Sequence, residues 1–590
     1  MFVRAKTTPN SPRKSIQVVE NVRDPKTGKV KQKILRHVGI AMNEEEEAKL
    51  RQIALDIIAR LQREAQESTP QLSLFPAELD AHAASLPKSK GRKPKKQLHE
   101  ILPVSQVSLD MIVEEARLID GVHEVAGHLY EEINYSSLLR NQKYNRILKD
   151  LVLCRISNPS SKLATSQQLK RYYHKEHDID AIYRTMDHVF SRIDKMKQTT
   201  FQSTLSLIPG KVDILLFDVT TLYFESTDVD ELRCFGYSKD FRFNTTQVVL
   251  ALATNSDGLP VGYELFEGNK AEVKTLIDTL ESWKKLFNIE QVCFIGDRAM
   301  FSADNLNALD ERGYSYIVAA KLRGLPDVMQ QKVLHSQNYI PGMVDEDFCW
   351  INEFHYEEAD IEWLRQQGAK PKEIQSYQKK IAENQHRKFV VSYSSKRARC
   401  DAKKRDLLLD KIKKQLNKTA DSARLISNTA LKKYTHSEGQ SKTSIDSQKV
   451  ETDQGWDGLH GVITNLKDAR LAHILSEYKR LLKIEDCFRV NKTTLKMRPI
   501  YHFKPERIHA HVAICYMAFA LIRQLEYRVK LIKKLSIDSI IEELNSVQSS
   551  IYIHKITKDR YRVPGNFSNE ARKIYSALNI KRNLDAYPIF

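Results

Sequence analysis

Three acidic residues in separate parts of the chain have the chemistry and the setting of metal ligands. Asp218 and Asp297 each end an apolar run that is typical of a buried strand, and Glu485 lies in the stretch 478–492, whose pattern predicts one long helix. Carboxylates are the ligands that Mg²⁺ prefers, and two such ions can hold both the attacking and the leaving oxygen of a phosphodiester. The three residues therefore indicate an enzyme that cuts and joins nucleic acid.

The elements that must position the two aspartates follow one another in the order βββαβαβ. The pattern predicts strands over 212–218, 245–254, 260–266, 291–297 and 314–322, and helices over 272–287 and 303–312. This order is that of an RNase H-like mixed sheet with flanking helices. In that fold the first strand and the end of the fourth lie side by side, which would bring Asp218 next to Asp297.

Each aspartate alone also has a simpler interpretation, as a turn former or a helix cap. That interpretation is favoured for Asp218 taken by itself, since Thr220 and Thr221 follow it, whereas Ser302 competes with Asp297 for the cap. Two like charges held close together are costly unless a cation neutralises them. The predicted convergence of the two carboxylates therefore favours the functional interpretation of both.

Glu485 is predicted to share a helix face with an aromatic hydroxyl and an amine. Tyr478, Glu485 and Lys492 are spaced by seven residues, so on one helix they project almost in line. The alternative is a solvated face with an incidental lysine. Asp486 is a rival metal ligand, and the sequence ranks the two acids only weakly. Pro499 is expected to end the helix.

Composition favours a polyanionic partner. The 590 residues carry a formal charge of +18 and the sequence pI is about 9.3, although a scattered Lys/Arg surface on an ordinary protein would give the same totals.

The seven cysteines include no CxxC pair, which argues against a zinc ribbon and a disulfide framework and fits a reducing cytosol. No signal peptide is visible at the start, and the apolar run 512–522 is too short for a membrane span and predicts a buried core helix.

The remaining regions flank or interrupt the predicted catalytic fold. Residues 1–67 predict a hairpin, with strands 15–22 and 31–40, followed by a helix capped by Asn43. Residues 68–104 are a proline-containing linker, in which the basic run 88–96 fits phosphate contacts and a solvated linker equally well. Residues 105–210 predict a helical, DNA-binding region, and residues 531–590 predict a helical, basic tail. The catalytic core is predicted in two parts, over 211–322 and 456–530. Between them, residues 323–455 predict a β-rich insertion subdomain with strands 348–356, 388–394 and 450–452.

Several segments together resemble the DDE transposases of bacterial insertion sequences, in the group named for a YREK motif. The segments are Phe217-Asp218-Val219-Thr220-Thr221-Leu222-Tyr223-Phe224, Gly236-Tyr237-Ser238-Lys239-Asp240, Gly262-Tyr263-Glu264-Leu265-Phe266-Glu267-Gly268-Asn269, Asp297-Arg298-Ala299-Met300, Asp457-Gly458, Thr464-Asn465 and the stretch from Tyr478 to His502. Each segment alone is a weak signal, and the combination over about 212–523 is specific.

The resemblance implies roles for individual residues. It makes Asp218, Asp297 and Glu485 the catalytic metal ligands and puts Tyr478 and Lys492 at the Tyr and Lys of the motif. Leu481 stands where the motif has Arg, so the role of that Arg passes to the neighbouring Arg480 or is lost. The residues expected to contact DNA are Tyr478, Arg480, Arg489, Lys492, Arg498, Lys239 and Arg298.

The resulting hypothesis is a DNA transposase that cleaves the ends of an insertion sequence and transfers the 3′-OH strands to target DNA. The cofactor is expected to be Mg²⁺, as two ions that Mn²⁺ can replace. The expected partners are double-stranded DNA (terminal inverted repeats and target) and a second copy of the chain, with no membrane, in the cytoplasm and nucleoid of a bacterium or archaeon. The alternatives are an RNase H-fold nuclease that does not join strands and a catalytically inactive, transposase-derived DNA-binding protein.

Overall fold

The computed structural model describes most of the chain, which forms two compact units. The units are Met1–Leu98 and His99–Phe590. The described residues are 2–7, 14–23, 30–41, 47–48, 50–51, 54–55, 58, 107–208, 214–236, 244–270, 272–287, 292–297, 301–416, 433–438 and 442–589.

The first unit contains a three-stranded antiparallel sheet in the order β1-β2-β3, with β1 Phe2–Thr7, β2 Lys14–Arg23 and β3 Val30–Ala41. The predicted hairpin is β2 with β3, and β1 was not predicted. Ile16 and Val18 of β2 are buried with Ala54 and Ile58. The turn 24–28, most of the predicted helix up to residue 67, and the basic run 88–96 lie outside the described residues.

The second unit is built on a nine-stranded sheet in the order β10-β11-β12-β15-β9-β8-β5-β6-β7. The strands of the second unit are β4 Ile112–Ile119, β5 Ile214–Tyr223, β6 Gln247–Thr254, β7 Pro260–Glu267, β8 Cys293–Gly296, β9 Ser315–Ala319, β10 Ile340–Val344, β11 Asp347–Phe354, β12 Lys388–Tyr393, β13 Thr435–Glu438, β14 Lys442–Ile445, β15 Leu459–Thr464, β16 Gln548–His554, β17 Arg560–Pro564 and β18 Tyr587–Ile589. Strand β8 runs parallel to both β5 and β9, and the other pairs of the nine-stranded sheet are antiparallel.

Helices cover both faces of this sheet. They are α1 Gly121–Glu132, α2 Gln142–Ser157, α3 Lys162–Tyr173, α4 Ile179–Phe190, α5 Ile193–Leu207, α6 Glu272–Phe287, α7 Ala303–Glu311, α8 Asp327–His335, α9 Ala359–Gln366, α10 Pro371–Glu383, α11 Ser395–Leu416, α12 Ser447–Gln454, α13 Leu471–Lys479, α14 Leu482–Arg489, α15 Pro505–Lys530, α16 Ile537–Ser546 and α17 Asn569–Ser576. The elements β5, β6, β7, α6, β8, α7 and β9 confirm the predicted βββαβαβ order and the RNase H-like mixed sheet.

Strands of the predicted insertion join the catalytic sheet. Strand β15 bonds to β9 on one side and to β12 on the other, and β11 and β10 extend the sheet beyond β12. The predicted strand 450–452 is wrong, because these residues lie in α12, where the side chain of Asp446 caps the helix by accepting a hydrogen bond from the Lys449 N–H.

Two further predictions need correction near the ends of the second unit. The region 105–210 contains α1 to α5 but starts with strand β4, and the region 531–590 contains three strands besides its helices. Strands β4, β16, β17 and β18 form one antiparallel sheet. The partner of β4 lies more than 400 residues away, so no local pattern shows this pairing.

Helix α15 forms the centre of the packing on one face of the large sheet. Residues 512–522 are all buried, which confirms the predicted core helix. By length and composition α15 could also cross a membrane, yet 94% of its most apolar window is buried inside the protein. The helix packs against α2 and α4, which fix the helical region 121–207 to the catalytic unit.

Candidate active site

Asp218 and Asp297 lie next to each other on neighbouring parallel strands. The register pairs Phe217 with Gly296, and the next residues are Asp218 within β5 and Asp297 directly after the last residue of β8. Adjacent strands are about 4.8 Å apart, and residues paired in register project to the same face. The prediction that Asp218 ends its strand is wrong, because β5 continues to Tyr223 and keeps its pairing with β6 over that length.

A glycine allows this close approach at the end of β8. A Cβ atom on Gly296 would come within 2.4 Å of the Phe301 ring and 3.1 Å of the Phe217 carbonyl oxygen. Any larger residue would therefore displace the Phe301 ring and press tightly on the backbone of β5. Asp297 follows at once and is exposed to solvent, whereas Asp218 is partly buried and accepts a hydrogen bond from the Val219 N–H at 2.7 Å.

The helix that carries Glu485 packs on the same face of the sheet. Leu216 of β5 and Ile295 of β8 share one hydrophobic cluster with Ile484 and Cys487 of α14. Their neighbours along each strand belong to the cluster on the opposite face of the sheet. Because side chains alternate along a strand, Asp218 and Asp297 project toward that cluster as well. Glu485 itself is exposed, in the first turn of α14.

The prediction of one continuous helix over 478–492 is wrong. Helix α13 ends at Lys479 and α14 begins at Leu482, and Val490–Thr494 is a π-helical turn. The break is a tightened turn, in which the Leu481 N–H donates to the Tyr478 carbonyl at 3.0 Å. The turn interrupts the helix between Tyr478 and Glu485, yet both residues line the same cavity, as their predicted common face required. The helical segment also ends before Pro499.

Tyr478 nevertheless lies close to two of the three carboxylates. Burial raises the pKa of its hydroxyl to about 12, and the negative charges of Asp297 and Glu485 act in the same direction, with the cation Arg397 opposing them. Its ring packs against the His460 ring, with 5.2 Å between ring centroids. Tyr478 is thus a common neighbour of Asp297 and Glu485.

The rival acid Asp486 has a structural partner instead. Its Oδ2 accepts a hydrogen bond at 2.7 Å from Nη2 of Arg523, whose side chain is 1% exposed, and its Oδ1 accepts one from Arg489. These cations lower the pKa of the Asp486 carboxyl against the opposing effect of burial. Glu485 faces a different environment, a cavity of about 470 Å³ that is also lined by Tyr478 and Arg397.

The three carboxylates have the donor chemistry for divalent cations. Carboxylate oxygens suit Mg²⁺ and Mn²⁺, and all three residues lie on one face of the sheet. Within the described part of the chain, no three Asp, Glu, His or Cys side chains are close enough together to hold a metal ion as they stand. The residue types therefore fit a divalent cation, but the three side chains are not close enough together to coordinate one ion as they stand.

The residues expected to contact DNA occupy several different settings. Arg480 is exposed and pairs with Glu477, at 3.3 Å between Nη2 and Oε1, and Arg489 pairs with Asp486 and Asp538. Lys492 lies in the π-helical turn, and the guanidinium of Arg498 lies 5.2 Å from the Tyr223 ring centroid. Lys239 and Arg298 lie outside the described residues.

A group of polar residues beside the catalytic face was not predicted from the sequence. Arg397, Asp401 and Lys404 of α11 line a cavity of about 1000 Å³ together with Asp297 and His460. Their spacing of four and three residues places them on one face of a helix, which was a readable signal in the sequence. Burial lowers the pKa of His460 to about 4, and the charges of Arg397 and Lys479 add to this effect.

Comparisons with known proteins show the family of the chain. The family described as "Transposase DDE domain" matches residues 209–521, which is more than half of the chain. The family described as "IS1634 family transposase, N-terminal domain" matches residues 3–70. A search among curated proteins finds no match. Among solved structures, a cryo-EM structure of the piggyBac transposase synaptic complex with hairpin DNA has 10% sequence identity and a TM-score of 0.34, and the alignment covers 72% of this chain and 77% of that one.

Proposed function

The chain belongs to the DDE transposases of insertion sequences, and we propose that Asp218, Asp297 and Glu485 are the metal ligands of its active site. It is a DNA transposase, and enzymes of this family generally use divalent metal ions. The parallel pairing of β5 with β8, which sets Asp218 beside Asp297, is the observation that carries the assignment. The shared neighbour Tyr478 supports adding Glu485, because its pKa responds to both Asp297 and Glu485.

The three carboxylates would hold two Mg²⁺ ions, which Mn²⁺ can replace. Divalent ions held by these residues would supply charge stabilisation at the scissile phosphate and a lowered pKa for the attacking water. Asp218 and Asp297 fix one side of the site, because their strands are hydrogen-bonded to each other and backed by buried residues. Glu485, on the exposed first turn of α14, supplies the third carboxylate from the helix that packs on β5.

The chain's own cations would hold the DNA strand near this site. Arg397 and Lys404 line the cavity next to Asp297, and an arginine can bind a phosphate through two parallel hydrogen bonds. Tyr478 stays protonated across the physiological range, because its pKa is about 12, so its hydroxyl would serve as a hydrogen-bond donor and not as a nucleophile. Arg480 is the candidate for the motif's arginine, since it is exposed one residue before Leu481.

The substrates would be the terminal inverted repeats of the element and a target duplex, and two copies of the chain would pair the two ends. The net charge of +18 supports a polyanionic substrate. The site of action would be the bacterial or archaeal cytoplasm, at the nucleoid.

A strand-transfer assay tests the proposal. Linear duplexes that carry the DNA flanking the coding frame are incubated with the protein, Mg²⁺ and a target plasmid. We expect cleavage at the element end, followed by covalent joining of the new 3′-OH to the plasmid. Asp218→Asn should abolish both steps while DNA binding persists. Cleavage without joining would support a nuclease instead, and cleavage by the Asp218→Asn protein would overturn the site.

A further inference from the structure

A second cationic cavity lies away from the three carboxylates. It measures about 590 Å³ and is lined by four cationic side chains and two imidazoles, those of Arg155, Lys162, Lys496, Arg498, His502 and His511. None of the described residues that line it is Asp or Glu. Buried cations in a structural core are normally paired with carboxylates, so a cavity that concentrates positive charge in this way is unusual for a core.

Within the described part of the chain, the two buried cations of this cavity hydrogen-bond to neutral groups. Arg155 is 5% exposed and donates from Nη2 to the Ser160 carbonyl at 2.9 Å. Lys162 is 4% exposed, and its Nζ lies 3.4 Å from Nδ1 of His511. The His511 Nε2 lies 3.0 Å from the Met497 carbonyl, which fixes this nitrogen as the donor and leaves Nδ1 to accept from Lys162.

The backbone around the cavity also favours an anion. Lys162 and Leu163 form the first turn of the twelve-residue helix α3, whose N-cap is Ser161. Peptide N–H groups at a helix N-terminus carry a partial positive charge and bind phosphate oxygens.

We propose that this cavity binds one backbone phosphate of the DNA strand, remote from the phosphate that is cleaved. The inference rests on the proposed function, because it takes DNA as the ligand. The guanidinium of Arg498 lies over the ring of Tyr223, and Asp218 is five residues earlier on the same strand. Five strand residues span about 17 Å, which corresponds to about five base-pair rises of a duplex. The cavity would thus set the register of the DNA relative to the catalytic carboxylates.

The titration of Lys162 supplies a signature for this binding. Burial lowers the pKa of its amine to about 7, with the charge of Arg155 acting in the same direction and Cys515 opposing it. Burial also lowers the pKa of His502 to about 3 and that of His511 well below its ordinary value, so both imidazoles are neutral near pH 7. A phosphate in the cavity favours the charged amine and raises its pKa. DNA binding above pH 7 should therefore take up a proton.

Calorimetry of DNA binding without divalent ions tests the proposal. Titrations of a short duplex are run in buffers of different ionisation enthalpy at about pH 8 and about pH 6, one unit on either side of the free pKa of Lys162. The wild-type protein should take up close to one proton per bound chain at the higher pH and almost none at the lower. Lys162→Met should abolish the uptake, and the same uptake in that variant would overturn the proposal.

A second readout covers the case in which Lys162→Met does not fold. Lys496→Gln changes an exposed residue at the mouth and should lower the slope of log K against log salt by about 0.9, the value for one phosphate contact. The matched control is Lys170→Gln, at the other end of α3, where the lysine pairs with Glu176; its slope should equal that of the wild type. An unchanged slope in Lys496→Gln would contradict the proposal.

A third titration separates a backbone phosphate from a free one. Inorganic phosphate alone, titrated at the higher pH and at the concentration used for the duplex, should cause much less proton uptake than the duplex does. Equal uptake from inorganic phosphate, with DNA binding unaffected by it, would assign the cavity to a free anion and overturn the DNA assignment. These experiments contain no divalent ion and read binding only, so a failed catalytic assignment would leave their outcome unchanged.

Discussion

The carboxylate of Asp486 is held by the buried guanidinium of Arg523, with 2.7 Å between Oδ2 and Nη2. This pair assigns different roles to two adjacent acids that the sequence ranked only weakly as metal ligands. Asp486 stabilises the packing of α14 against α15, whereas Glu485 points into a cavity shared with Tyr478. The two neighbours should consequently respond in opposite ways to substitution.

Asp486→Asn should destabilise the protein and spare its catalysis. Removing one charged partner of a hydrogen-bonded pair costs about 1–3 kcal/mol, and the remaining contact of Arg523 with Glu526 limits the loss. Denaturant unfolding should show a lower midpoint, while cleavage per folded molecule stays near the wild-type rate. Glu485→Gln is the matched variant, with normal stability and no cleavage. A stable but inactive Asp486→Asn protein would reverse the assignment.

The hydroxyl of Tyr478 should not titrate in the working range of the enzyme. Its pKa is raised to about 12, chiefly by burial and further by the carboxylates of Asp297 and Glu485. The pH–rate profile of Tyr478→Phe between about pH 6 and 10 should therefore keep the wild-type shape, at a lower rate that reflects the lost hydrogen-bond donor. Loss of an alkaline limb in the Phe variant would show that the hydroxyl ionises during turnover.

Arg397 should contribute to DNA binding although no sequence motif identified it. The residue is exposed, lines the cavities next to Asp297 and Glu485, and lies four residues before Asp401 on α11. Arg397→Gln should weaken duplex binding at low salt and reduce the salt slope by about 0.9 per lost phosphate contact. The control is Arg365→Gln on α9, because Arg365 is also exposed and paired with an acid, Glu362, but lines neither of these cavities. Equal slopes in the two variants would remove Arg397 from the DNA-binding surface.

Acid should destabilise the protein in part through His460. Its pKa in the folded state is about 4, lowered chiefly by burial, against an ordinary value of 6.5. The unfolded chain therefore binds more protons between these values, and stability falls as the pH drops through that window, by about 1.4 kcal/mol per pH unit for one such group. Denaturation midpoints measured from pH 7 to about pH 4.5 should fall less steeply in His460→Gln. An identical dependence in both proteins would contradict the assigned cause.

Much of the catalytic sheet could be predicted from sequence because its strands are continuous apolar runs separated by turn signals and amphipathic helices. The order of these runs was enough to place Asp218 near Asp297, and the parallel register of β5 and β8 confirms that relation.

Local sequence patterns did not predict the structure where it depends on a partner far away in the chain. Strand β4 exists because β16 bonds to it, and the role of Asp486 depends on Arg523 in another helix. The tightened turn at Leu481 carries no Gly or Pro that would mark it.

Binding of Mn²⁺ to the protein, followed by the loss of the free-ion electron paramagnetic resonance signal, tests the three-carboxylate site most directly. Asp218→Asn, Asp297→Asn and Glu485→Gln should each weaken binding at least about 10-fold, because even the loss of a residue that only supports a metal ligand usually costs about 10–100-fold. Asp486→Asn should bind as the wild type does. Wild-type affinity in any of the first three variants would contradict the account.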